Sequence, residues 1–109
     1  FRKQKLEDRI RISDKIKSKY YNRIPIIIDS KKEIELDKKK FIVPLDFTIG
    51  QFMYILKKKI ITKSEQSIFL ICNNKLVTNT ELISNLYNND KDTDGFLYII
   101  ITIENTFGN

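Results

Sequence analysis

Histidine and tryptophan are both missing from this 109-residue chain, and cysteine and methionine occur once each. Without histidine the chain lacks the commonest general base and the commonest metal-binding side chain. Cys72 has no imidazole to activate it, and the three glycines, Gly50, Gly95 and Gly108, lie too far apart to form a phosphate-cradling loop. An enzyme is therefore not expected, nor is a metal or any other cofactor. A lone cysteine cannot close an internal disulfide, which leads us to expect a reducing, intracellular setting. Its place in Ile68-Phe69-Leu70-Ile71-Cys72 suits a buried strand thiol better than a nucleophile. No apolar stretch approaches the roughly 20 residues needed to cross a bilayer, and no signal-peptide pattern opens the chain. The first residue is Phe1 rather than Met, so a longer parent chain is expected.

What is abundant is lysine. The net charge is +6, with clusters at Lys15, Lys17 and Lys19, at Lys38-Lys39-Lys40 and at Lys57-Lys58-Lys59. Such clusters attract phosphates, but no nucleic-acid motif or aromatic-basic interleaving accompanies them, so nucleic acid is not an expected partner. Apolar residues at 41% and charged residues at 31% fit one globular domain with a single modest core.

The order of elements follows from periodicity. Between about Leu6 and Tyr20, apolar Ile12, Ile16 and Tyr20 recur every four residues, giving a helix with a narrow stripe. Arg23-Ile24-Pro25-Ile26-Ile27-Ile28-Asp29 reads as a strand, with Pro25 near a strand end or sheet edge because it has no N–H. Ser30 to Lys39 reads as a charged connection, and Lys40-Phe41-Ile42-Val43-Pro44 as a second strand. Thr48-Ile49-Gly50-Gln51 has the spacing of a capping box, and Ile49, Phe52, Met53, Leu56 and Ile60 continue at helical spacing to about Lys59. Ile68 to Cys72 is a third strand and Asn73-Asn74 a turn signal. A short helix from Thr80 to Tyr87 would bury Leu82, Ile83, Leu86 and Tyr87, and Phe96 to Ile103 is the last strand. The expected fold class is α+β. It is a ubiquitin-like β-grasp, a four-stranded mixed sheet on one long helix, with an additional N-terminal helical segment on the other face. The expected divisions are a helical extension over 1–22, the β-grasp over 23–104 and a tail over 105–109.

The tail carries its own signal. Glu104-Asn105-Thr106-Phe107-Gly108-Asn109 follows a strand without a turn that returns the chain. Gly108 has no Cβ, so its carbonyl is approachable from either side and its backbone can enter a narrow channel. That suits a carboxylate to be activated once Asn109 is removed, although a frayed terminus is the ordinary alternative.

Together these motifs resemble the autophagy-related ubiquitin-like modifiers of the GABARAP and microtubule-associated light chain 3 type. The resemblance is carried by Asp37-Lys38-Lys39-Lys40-Phe41-Ile42-Val43-Pro44, Phe47-Thr48-Ile49-Gly50-Gln51-Phe52 and Arg23-Ile24-Pro25. Asp94-Gly95-Phe96-Leu97-Tyr98 and Glu104-Asn105-Thr106-Phe107-Gly108 complete it, and the match runs in order from about Leu6 to Gly108. It implies that a cysteine protease cuts between Gly108 and Asn109. Activating and conjugating enzymes would then pass the Gly108 carboxylate through thioesters to phosphatidylethanolamine, turning a cytoplasmic protein into one held on an autophagosome or related membrane. The resemblance also implies docking of receptor peptides of the form aromatic-x-x-aliphatic. The first pocket would use Ile16, Pro25, Ile27, Lys40, Ile42 and Phe96, and the second Phe41, Val43, Pro44, Phe47, Phe52 and Ile55. Arg23, Lys38, Lys40 and Lys59 would attract acidic residues flanking the peptide.

Ordinary readings stand beside these. Ile27, Phe52 and Ile55 also fit plain core positions, Lys38-Lys39-Lys40 a solvated run, and Thr48 with Gln51 a cap alone. Phe41 and Phe47, beside charges near a strand end, fit a pocket better. The chain departs from the family pattern at Ile12, where a glutamate facing the first pocket is usual. It departs again at Leu6, Tyr21 and Val77-Thr78. An unconjugated peptide-binding adaptor of the same fold, a role on another organelle membrane and a basic nucleic-acid binder are the alternatives.

Overall fold

Alternation and β-branching in the apolar runs lay down a sheet with a helix against each face. In the computed structural model, which describes residues 1–30, 34–61 and 67–103, the chain runs α1 (Leu6–Lys19), β1 (Arg23–Ser30), β2 (Glu35–Leu36), β3 (Lys40–Pro44), α2 (Ile49–Lys57), β4 (Ile60–Ile61), β5 (Ile68–Cys72), β6 (Lys75–Leu76), α3 (Ile83–Asp90) and β7 (Leu97–Ile103). Five strands form one sheet in the order β3-β1-β7-β5-β6, and β2 pairs with β4 in a separate ribbon. β1 and β7 are parallel, whereas β1 with β3, β5 with β7 and β5 with β6 are antiparallel.

β1 is buried from Ile24 to Ile28 without alternation because both of its faces are covered. Ile24, Ile26 and Ile28 join the main core with Phe52, Leu56, Leu70, Leu97, Ile99 and Ile101. Pro25 and Ile27 are buried outside that cluster, on the face where α1 packs against β1. Pro25 sits in an interior strand, yet its missing N–H costs no ladder bond. It lies opposite Ile42 on the β3 side, and pairing with β7 begins only at Ile26 opposite Leu97.

α2 starts where the capping box requires. The Thr48 hydroxyl accepts from the Gln51 N–H at 3.2 Å, and the Gln51 side chain accepts from the Thr48 N–H at 2.8 Å. The helix ends at Lys57, so Ile60 belongs to β4 and not to the helix that its spacing suggested. α2 is therefore nine residues long against fourteen for α1, and the "one long helix" of the sequence reading is the shorter of the two.

Other corrections come from tertiary pairing. α3 begins at Ile83 rather than near Thr80, because Leu82 is extended and its two neighbours are hydrogen-bonded to the entry to α2. Ile49 N–H donates to Glu81 C=O at 2.8 Å, Ile83 N–H donates to Phe47 C=O at 2.9 Å, and Thr48 bridges Leu82. Leu82 is consequently exposed, while Ile83 and Leu86 are buried. The stretch read as a charged connection contains buried Ile34 and strand β2. Asn73 and Asn74 both take left-handed conformations, φ 50° and 66°, and reverse the chain into β6, a strand too short to show in the sequence.

Candidate functional site

β3 forms one margin of the sheet. Antiparallel pairing alternates bonded and non-bonded positions, and the flanking bonds fix which are which. Ile28 N–H donates to Lys39 C=O at 2.8 Å and Leu45 N–H donates to Asn22 C=O at 3.1 Å. The backbone groups of Phe41 and Val43 therefore face β1, while those of Lys40 and Ile42 face the open margin, where an extended peptide can add a strand. Pro44 closes the strand: it has no N–H, and its carbonyl accepts from the Phe47 N–H at 3.1 Å.

The pleat assigns the two sets of pocket residues to opposite faces of this edge, except that Pro44 of the second set shares the face of Lys40 and Ile42. Phe41 and Val43 point into the core, whereas Lys40, Ile42 and Pro44 are exposed or half-buried. On the α1 side, Pro25 pairs with Ile42 and Ile27 with Lys40, so four residues of the first set are cross-strand neighbours. Tyr20, Arg23, Lys38, Lys39, Lys40 and Ile42 line an open cleft of about 540 Å³ at this edge. It brings together Arg23, Lys38 and Lys40, three of the four basic residues expected to steer acidic peptides. Lys59 is exposed beyond the end of α2 and is not among the residues lining this cleft. Half-buried Ile16 lies in a neighbouring groove along α1, shared with Lys15, Lys19 and Tyr20. Phe96 is fully buried, with the ring of Phe1 edge-on against it at 4.9 Å.

On the α2 side, Phe41, Val43 and Phe52 are core residues, with the Phe41 and Phe52 rings edge-to-face at 5.6 Å. Phe41, which its charged neighbours had marked as pocket-like, is buried because the pleat turns it inward. Lys38 Nζ stands 5.3 Å from the centre of its ring. Pro44, Phe47 and Ile55 are half-buried and form the accessible part of the second set.

A buried polar network that the sequence reading missed attaches α1 to this sheet. Arg9 Nη1 lies 2.8 Å from Asp94 Oδ2, the Tyr98 hydroxyl donates to the same oxygen, and Phe96 N–H donates to Asp94 Oδ1 at 2.8 Å. The Ser13 hydroxyl donates to Asp94 C=O at 2.5 Å, and Ser13 is the one fully buried residue of α1. Tyr87 Oη donates to Gly95 C=O at 2.7 Å. Burial and the Asp94 bond push the Tyr98 hydroxyl up to about 12, and the Tyr98 hydrogen bond raises Arg9 further. Asp94 and Tyr98 appear in the sequence only as part of a motif, and nothing in the periodicity of α1 marks Arg9 or Ser13. Buried partners on another element select them.

Gly108 and Asn109 lie outside the described residues. Among those that are described, no group of acidic, cysteine or histidine side chains is arranged to hold a metal, and no helix is long and apolar enough to cross a membrane.

A mixed sheet crossed by a capped helix on one face, with an open edge strand and an added N-terminal helix on the other, defines a ubiquitin-like domain. The family model described as "Autophagy protein Atg8 ubiquitin like" matches residues 8–108. Autophagy-related protein 8e of Arabidopsis thaliana is 43% identical over 111 residues, covering 99% of this chain and 87% of that protein. Autophagy-related protein 8 of Candida glabrata is also 43% identical, covering 99% and 90%. The crystal structure of Trypanosoma brucei ATG8 superposes with a TM-score of 0.86 at 31% identity, over 97% of this chain and 94% of that one. Plasmodium falciparum Atg8, solved in complex with a Plasmodium falciparum Atg3 peptide, gives 0.79 at 33% identity over 91% and 90%. The chain belongs to the Atg8 family of ubiquitin-like autophagy proteins, as the motifs implied.

Proposed function

We propose that this protein is a modifier cleaved between Gly108 and Asn109 and joined through the Gly108 carboxylate to the amine of phosphatidylethanolamine, and that it recruits partners through β3. Adenylation would turn an unreactive carboxylate into an electrophile, thioesters to the activating and conjugating enzymes would carry it, and amide formation with the lipid amine would release the last thiol. The protein is then the group transferred, not the catalyst. Two acyl chains supply durable attachment where one gives only reversible binding, moving the protein from cytoplasm to an autophagosomal membrane.

The observation that supports peptide docking is the disposition of the two residue sets about β3. In an extended peptide, side chains three positions apart point to opposite faces, because three is an odd number of steps in a period of two. An aromatic-x-x-aliphatic segment added at the Lys40–Ile42 margin would send its aromatic toward the α1 face and its aliphatic toward Phe47 and Ile55 on the other. Arg23, Lys38 and Lys40 would accelerate encounter with acidic flanks. The Plasmodium relative's complex with an Atg3 peptide adds support for a conjugating enzyme as one partner.

Two measurements test the reading. A peptide of this form should bind with a Kd on the order of micromolar, about −8 kcal/mol, and Lys40→Glu combined with Ile42→Asp should abolish binding. Unchanged affinity in that double variant would put docking elsewhere. Protein recovered from its own cells should include a species ending at Gly108 and carrying a phospholipid. Gly108→Leu should never acquire one, and a lipidated Gly108→Leu protein would end the assignment.

A further inference from the structure

The segment ahead of α1 is folded back across the sheet and held at several points. Gln4 N–H donates to Phe1 C=O at 3.0 Å, closing a turn, and Arg9 Nε donates to Gln4 C=O at 3.1 Å. Arg2 pairs with Asp92 at 3.2 Å, and its guanidinium lies 3.9 Å from the centre of the Tyr98 ring. These contacts direct Phe1 to one place. Its ring meets Phe96 edge-on at 4.9 Å, with the planes at 72°, and Lys40 Nζ stands 5.6 Å from its centre. Phe96 and Lys40 both belong to the pocket assigned above to an incoming aromatic side chain. The half-buried Phe1 ring makes the contacts that side chain would make: an aromatic edge and a cation.

We infer that Phe1 is an internal occupant of the aromatic pocket, latched by Arg2, and that a peptide must displace it in order to dock. This rests on the docking reading of β3 and adds regulation to it. Peptide affinity is scaled down by the fraction of molecules whose pocket is open, and any change that releases the Arg2–Asp92 pair raises that fraction. The pair is partly exposed, so salt weakens it and opens the pocket.

The test compares a Trp-x-x-Leu peptide with an Ala-x-x-Leu peptide by calorimetry against the whole chain. Phe1→Ala should tighten the tryptophan peptide by about three- to tenfold, the range an aromatic pair of this kind supports. It should leave the alanine peptide unchanged, since that peptide does not compete for the same space. Arg2→Ala should give a smaller gain with the same selectivity. No gain in Phe1→Ala, or an equal gain for both peptides, overturns the inference while leaving docking intact, provided Lys40→Glu with Ile42→Asp still abolishes binding. If that double variant binds normally, the docking reading fails, and the role given to Phe1 fails with it.

Discussion

Arg9 Nη1 and Asp94 Oδ2 meet at 2.8 Å, and the Asp94 side chain has no exposed surface. The carboxylate also accepts from the Tyr98 hydroxyl and the Phe96 N–H, so one buried anion joins α1 to the turn before β7.

Asp94→Ala should therefore be costly, because it leaves three donors without their acceptor in a buried place. Removing one partner of a buried pair typically costs about 3–5 kcal/mol. Urea unfolding should show a large drop in midpoint, and hydrogen exchange should show α1 losing protection before the sheet. An unchanged midpoint and slope would mean that packing alone holds the helix.

Gly95 and Ser13 are matched to each other. Gly95 has φ +91°, and a Cβ there would lie 2.5 Å from Ser13 Oγ. Gly95→Ala should lose stability from both the strained backbone, roughly 1–3 kcal/mol, and the clash. Combining it with Ser13→Ala removes the nearest atom but not the strain, so the double variant should be less destabilised than the sum of the two single changes. Strict additivity in a thermal-unfolding cycle would refute the contact.

Tyr98 predicts an alkaline signature. Its folded value, pushed up to about 12 by burial and by the Asp94 bond, lies above the value of about 10 for an unfolded chain. A raised value stabilises the un-ionised fold, so this contribution is complete below about pH 10 and disappears as the pH rises through about 12. Spectrophotometric titration should contain a component ionising near pH 12 that Tyr98→Phe removes, and the variant's stability should fall less steeply across that window.

Cys72 should be chemically quiet. Burial, with nearby Asp90 and Glu81 adding to it, pushes its thiol up to about 11, and the side chain is enclosed at the end of β5. At pH 8 a thiol reagent should modify the denatured chain quickly and the native chain only at the rate of opening. Rapid native labelling would show that this end of the sheet is looser than its packing implies.

Much of the fold was legible in local pattern. The capping box fixed the start of α2, β-branched runs marked β1, β3 and β5, and the paired asparagines marked the turn into β6. Local pattern failed where long-range pairing decided. The bridge between Leu82 and Thr48, with its two flanking hydrogen bonds, delayed α3, and the β2–β4 ribbon joins two pairs of residues too short to carry a periodic signal. Within the candidate site, the basic run beside β3 was readable, and its place at the sheet edge followed from the family resemblance. Which pocket residues stay accessible was not, since Phe41 and Phe52 follow the same apolar pattern as any core position.

The sequence by itself determined the order of the longer elements, the basic run beside β3 and the family, because these depend on residue types at short spacing. The tertiary structure alone decided that Arg9, Ser13, Asp94 and Tyr98 form one buried joint and that Phe1 lies on Phe96. The contacts of Arg9 and Ser13 with Asp94, and of Phe1 with Phe96, join residues more than eighty positions apart. No periodicity connects them, and they exist only once the sheet has brought its two faces and their helices together.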